Sequence, residues 1–151
     1  MEDRADVLVY TSAPLKESVT LAGPLKAVIH ASTEGRHTDL TAKLVEVRPD
    51  GYARIIEDGI LRGPDPVDGE GVSSMESGRV YRFTIDLGAT GIRIAAGHRI
   101  RVDVSSSNFP KYTRNPNTGE SAETAREFET VTQTVWHSEA YPSHVVLPVL
   151  E

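Results

Sequence analysis

Three consecutive serines, Ser105, Ser106 and Ser107, follow closely on His98 and Asp103. Serine, histidine and aspartate are the ingredients of nucleophilic acyl transfer, in which the imidazole takes the hydroxyl proton and the carboxylate orients the imidazole. Their spacing argues against that chemistry. Between Arg99 and Ser105, Ile100, Val102 and Val104 alternate with Arg101 and Asp103, the period of two of a half-buried strand. Successive side chains on a strand point to opposite faces, so His98 and Asp103 cannot meet over one serine. The strained Gly-x-Ser-x-Gly turn that presents a nucleophile is absent, and Gly71-Val72-Ser73-Ser74-Met75 holds only its first half. The serines read instead as side chains that satisfy their own backbone where a strand ends and turns.

Metal chemistry has no better footing. His30, His37, His98, His137 and His144 show no paired spacing suited to a metal, and Asp65, Asp68 and Glu70 lack the order of a calcium loop. With no cysteine, disulfides, thiol catalysis and thiolate ligation are excluded. The expectation is no metal, no cofactor and no catalytic residue. Two groups of side chains remain as recognition candidates. Trp136 shares a strand face with Thr132 and Thr134, so it either offers a ring to a sugar or plugs the sandwich or an interface. Tyr112, Arg114 and Asn115 form a polar and aromatic cluster that either meets a partner domain or packs on its own loop.

The elements that must position these residues are strands. Val7–Thr11 is β-branched and aromatic, and residues 18–22 and 25–33 read as a strand pair split by the turn dipeptide Gly23-Pro24. Leu40, Ala42 and Leu44 alternate with polar partners, but Val45 and Val47 continue in the opposite phase. Such a slip predicts a β-bulge or a strand buried on both faces. Pro49-Asp50-Gly51 turns residues 38–48 into an antiparallel hairpin with 52–62. Residues 63–78 read as an irregular surface loop, 81–87 as the clearest alternating strand, and 92–94 as a short further segment. Residues 121–129 carry one or two helical turns, with Ala122, Ala125 and Phe128 on one face. Residues 130–138 and 144–150 read as the closing strands, and because Pro148 has no N–H to donate the last one is an edge or pairs on one side there. Nine or ten strands without βαβ spacing predict an all-β, two-sheet antiparallel sandwich, jelly-roll-like in strand number.

Residues 1–151 are long enough for one domain with its own core. A formal charge of −6 and the lack of a basic cluster exclude a nucleic-acid surface. No apolar run approaches membrane-spanning length, and the charged start Met1-Glu2-Asp3-Arg4 stands where a leader would be apolar. A cytoplasmic chain is the expectation.

Several ordered segments together resemble one family. They are Asp6-Val7-Leu8-Val9-Tyr10-Thr11-Ser12, residues 38–47, Pro49-Asp50-Gly51, Asp58-Gly59-Ile60-Leu61-Arg62, residues 97–110 ending in Ser105-Ser106-Ser107-Asn108-Phe109-Pro110, and Pro142-Ser143-His144-Val145-Val146-Leu147-Pro148. The family is the C-terminal domain of the X-Pro dipeptidyl-peptidase and cocaine-esterase-like (CocE/NonD) serine hydrolases. The resemblance implies a galactose-binding-like jelly roll whose Ser-Asp-His triad and oxyanion hole belong to a separate α/β-hydrolase domain. It further implies a chain inert by itself, which packs on that domain, helps wall the substrate pocket and supports homo-oligomer contacts. Polar, motif-rich loops on a rigid sandwich are where such contacts are placed. Ile29, His30, Asp39, Asn108, Phe109, Tyr112, Arg114 and Asn115 are therefore the expected partner-facing or pocket-facing residues, although His30 departs from the apolar residue expected there. Asp39 has a second reading, an internal ion pair with Arg99 or Arg101 that also caps a turn. The competing function is a stand-alone carbohydrate- or ligand-binding module, which would display an aromatic platform.

Overall fold

The structure, a computed structural model, describes residues 4–63 and 74–150. Asp65, Asp68, Glu70 and most of the expected 63–78 loop lie outside the described residues. Among the described residues there are nine strands: β1 (Val7–Thr11), β2 (Val19–Thr33), β3 (Asp39–Val47), β4 (Ala53–Arg62), β5 (Tyr81–Ile94), β6 (Arg99–Ser105), β7 (Gln133–Trp136), β8 (His144–Val146) and β9 (Val149–Leu150). One sheet has the order β1-β6-β3-β4; the other is β5-β2-β7, with β8 and β9 also pairing with β2. Every pairing is antiparallel. No helix among the described residues is long and apolar enough to cross a membrane.

The two sheets meet through the apolar phase of their strands. Leu40, Ala42 and Leu44 of β3 and Val104 of β6 pack with Leu25, Ala27 and Ile29 of β2 and Phe83, Ile85 and Leu87 of β5. Burial of each large apolar side chain contributes about 1.5–3 kcal/mol. The slip within β3 is resolved on both sides of the hairpin. β3 itself is buried at all nine positions. Its register with β4 shifts between Leu44, opposite Glu57, and Val45, opposite Ile55, so the extra residue, Ile56, is a bulge in β4.

Several expected boundaries differ, the closing strand 144–150 among them, which is split into β8 and β9. Gly23-Pro24 does not end a strand: β2 runs unbroken through it, paired to Thr90 and Ala89 of β5. The proline is tolerated because the other neighbour is broken at that level, where Leu147 and Pro148 separate β8 from β9. Residues 81–87 and 92–94 are one strand, carried through by a bulge at Leu87 and by Gly88 at φ +86°. Residues 121–129 make a single turn, the Ala125 N–H donating to the Ser121 carbonyl at 2.8 Å, with no helix.

The sandwich is pinched shut on the side where β4 meets β5. At Gly59 an added Cβ would lie 2.1 Å from the Asp86 carbonyl oxygen, a backbone atom that cannot swing away. Gly91, also in β5, would meet nothing within 4 Å. Gly59→Ala is therefore expected to destabilise the fold by about 3 kcal/mol or more in urea titration, and Gly91→Ala to stay within about 1 kcal/mol of the parent. Equal effects would show that the sheets do not approach closest at Gly59.

Candidate functional site

The chain leaves β6 at Ser105 and returns to a sheet only at Gln133, and the intervening loop is stapled to the outside of the first sheet. Two carboxylates hold it. Asp58 of β4 accepts from Asn108 Nδ2 and from Lys111 Nζ, each at 2.7 Å. Asp39, at the start of β3 and 1% exposed, accepts from Asn115 Nδ2 at 2.7 Å and pairs with Arg62 at 3.4 Å. Arg62 also donates to Thr113 Oγ1 at 3.1 Å. The loop then closes on itself: the Asn117 N–H donates to Asn115 Oδ1 at 2.9 Å, and Asn117 Nδ2 to the Glu129 carbonyl at 2.8 Å. Ser105 donates to the Asp6 carbonyl at 2.9 Å, the backbone-satisfying role expected of it.

So stapled, the loop shapes a concavity of about 650 Å³ lined by Phe109, Arg114, Asn115, Phe128 and Glu129 along with Arg4, Ser106 and Ser107. Phe109 is 65% exposed and Phe128 50%. The Arg114 guanidinium lies 5.0 Å from the Phe128 ring centroid, a cation–π contact that holds its charge at the wall. Aromatic edges, a guanidinium and amide groups can recognise an aromatic or carbonyl-bearing surface. The one histidine near the serines in sequence is turned elsewhere, with His98 Nδ1 bonded to Glu46 Oε1 at 2.7 Å. No group of three His, Cys, Asp or Glu residues among those described is placed to hold a metal.

Of the expected residues, the structure brings Phe109, Arg114 and Asn115 to one concavity, with Asp39 buried beneath Asn115. Asn108 serves as a staple, and Tyr112 lies outside the concavity, its ring 5.4 Å from Lys111 Nζ. Ile29 and His30 are elsewhere. Ile29 is buried between the sheets, whereas the His30 ring is on the outer face of the second sheet, 5.9 Å from that of Tyr141. The expected ion pair of Asp39 with Arg99 or Arg101 does not form. Arg99 faces Val47 at the opposite end of β3, while Arg62 is directly across from Asp39. Arg101 instead donates to Thr11 Oγ1 at 3.0 Å. Phe128 was not singled out from the sequence as a wall, because its apparent helical face obscured the real signal, an aromatic between two glutamates. Trp136 does not plug the sandwich: it is 38% exposed on the outer face, its indole N–H donating to Ser32 Oγ at 3.1 Å.

Two buried carboxylates titrate in opposite directions. Burial raises the Asp39 pKa, against the pull of Asn115 and Arg62. For Glu46, burial acts upward, but the hydrogen bond to His98 and the Arg54 charge outweigh it, so its pKa falls.

Two packed antiparallel sheets, with a long loop stapled to one of them, define an all-β sandwich domain. The chain belongs to the family described as the X-Pro dipeptidyl-peptidase C-terminal non-catalytic domain, whose pattern matches residues 1–146. It is 40% identical to the cocaine esterase of Rhodococcus sp. (strain MB1 Bresler) over 153 residues, covering 100% of this chain and 27% of that protein. It is also similar to a solved α-amino acid ester hydrolase, with a TM-score of 0.91 and 31% identity over 99% of this chain and 26% of that one. An aminopeptidase from the marine sediment archaeon Thaumarchaeota archaeon superimposes with a TM-score of 0.86 at 31% identity, again over 99% of this chain and 26% of that one. The chain thus spans about a quarter of the length of these relatives.

Asn115→Ala removes the hydrogen bond that favours ionised Asp39 and is expected to cost about 1–3 kcal/mol at pH 7. A raised folded pKa makes Asp39's contribution most favourable at low pH and lost as pH rises through that pKa, so the Asn115→Ala penalty should shrink on acidification. A penalty that does not change with pH in chemical denaturation would contradict the Asp39–Asn115 coupling. Glu46 has the opposite sign: its stabilisation is full above the unfolded pKa and lost as pH falls through the lowered folded value. Glu46→Gln should accordingly flatten the acid limb of the stability curve relative to the parent.

Proposed function

We propose that this chain is the noncatalytic C-terminal domain of a longer CocE/X-Pro dipeptidyl-peptidase-like serine hydrolase. Residues 1–151 form one galactose-binding-like jelly-roll domain that packs on an α/β-hydrolase domain, with the Phe109–Phe128 concavity helping to wall the substrate pocket. The observation that carries this reading is the concavity itself. Half-exposed aromatics and a guanidinium held by a stapled loop form a preformed recognition surface on the family's supporting domain. Hydrolysis of an ester or peptide belongs, in this reading, to the absent domain, and the sandwich also supports contacts between copies of the enzyme.

The competing carbohydrate module would use the exposed pair Trp136, in β7, and Tyr141, in the connection that follows it. Their rings stand at 57°, so they offer no common plane on which a sugar could stack. Immunoblotting of source cells with an antibody to this chain is expected to reveal a polypeptide nearly four times heavier than 16.4 kDa, as the relatives' lengths imply. In that enzyme, Phe109→Ala and Arg114→Ala are expected to lower kcat/KM roughly three- to tenfold for bulky esters while sparing small ones, the range of one lost contact. A band at 16.4 kDa would refute the accessory-domain reading, and unchanged kinetics would refute the pocket-wall role.

A further inference from the structure

The concavity does not stop at the loop. A second hollow of about 230 Å³ shares Asp6, Ser106, Val131 and Gln133 with it and adds Leu8, Val104 and Val135. A third, about 290 Å³, shares Val104 and Val135 with the second and continues past Tyr10, Val102 and Val145. Together they make one trench along β1, on the side of the sandwich opposite the Gly59 pinch.

Physically, the trench is an unclosed seam between the sheets. Leu8 and Tyr10 stand opposite Val104 and Val102 in the β1–β6 register, so they belong to the inward, apolar side. They are nevertheless 42% and 41% exposed, whereas Val104 beside them is 2% exposed. The His137 ring reaches across at one point, edge-on to Tyr10 at 5.9 Å. Among the described residues β1 also ends its sheet, pairing with β6 alone, so its other backbone edge is available to a further strand. Apolar edge strands left uncovered invite pairing, and an added strand inserts alternate side chains into whatever lies beneath it.

We infer that this trench receives an extended apolar segment from the remainder of the same polypeptide, which pairs with the free edge of β1 and inserts aliphatic or aromatic side chains beside Val102, Val104, Val135 and Val145. This rests on the reading that the chain is part of a longer hydrolase. Two observations select that occupant. The trench is continuous with the concavity assigned to the catalytic partner, so one docked body covers both. The chain accounts for 27% of the length of the cocaine esterase, which leaves ample polypeptide to supply the segment.

The test is photo-crosslinking from position 8 in the full-length natural polypeptide, with Leu8→p-benzoylphenylalanine, read alongside hydrogen exchange of residues 7–11. The expected result is an intramolecular crosslink to a peptide outside residues 1–151. Exchange at residues 7–11 should be at least tenfold slower than in the 151-residue chain, and Val135→Asp should abolish that slowing while leaving β3 protected. A crosslink between two copies, protection that dialysis removes as a bound small molecule leaves, or equal exchange in both proteins would each overturn the assignment. These outcomes are separate from failure of the underlying reading, which a natural polypeptide of only 16.4 kDa would signal before any crosslink is made.

Discussion

β3 lies at the centre of its sheet, is buried at every position, and yet carries Asp39, Thr41, Lys43 and Glu46. A buried polar group without a partner costs on the order of 1–3 kcal/mol, more when charged. The partners of these side chains therefore govern much of the remaining architecture. Asp39 draws in Asn115 and with it the loop between β6 and β7. Thr41 donates to the Ser105 carbonyl at 3.1 Å and locks the end of β6 where that loop begins. At the far end, Glu46 gathers His98 and Arg54, each at 2.7 Å, tying the turn before β6 to β4. The histidine that first invites a catalytic reading is thus committed to a structural carboxylate.

The same strand helps hold the long loop in place. The loop lacks regular secondary structure over most of its length, and an unsupported loop of that kind would have to be ordered on every encounter with a partner. Staples to Asp39 and Asp58 place that ordering in the fold itself, so Phe109 and Arg114 are presented in fixed positions on the wall. The sandwich is asymmetric in a matching way. One side is pinched to backbone contact at Gly59, and the other remains open along β1. The open side runs into the concavity shaped by the stapled loop, the two sharing Asp6, Ser106, Val131 and Gln133.

Much of this was legible in the residues. The alternations of β5 and β6 and the Pro49-Asp50-Gly51 turn each rest on local chemistry that burial reinforces. The double phase of β3 was visible as a slip between Leu44 and Val45. What remained hidden was which strand of the hairpin carries the extra residue, and it is β4, at Ile56. Gly23-Pro24 misled because a proline interrupts a strand only where a neighbouring strand needs the N–H it lacks. Here the gap between β8 and β9 removes that need. Phe128 misled because three apolar residues at helical spacing imitate an amphipathic turn when no core lies beneath them.

The sequence by itself determined the strand periods, the exclusion of thiol and paired-histidine metal chemistry, the separation of His98 from Asp103, and membership of a supporting-domain family. The first three depend on side-chain period and composition, which need no knowledge of what lies across a sheet, and the last rests on the resemblance of several segments in order. Only the tertiary structure decided that Asp39 pairs with Arg62 and Asn115 rather than with Arg99 or Arg101, and that Phe109, Arg114 and Phe128 share one wall. It alone showed that Leu8 and Tyr10 face inward and remain uncovered. Those facts depend on cross-strand register and on how two sheets close on one side and part on the other, and both arise from contacts between residues far apart in the chain.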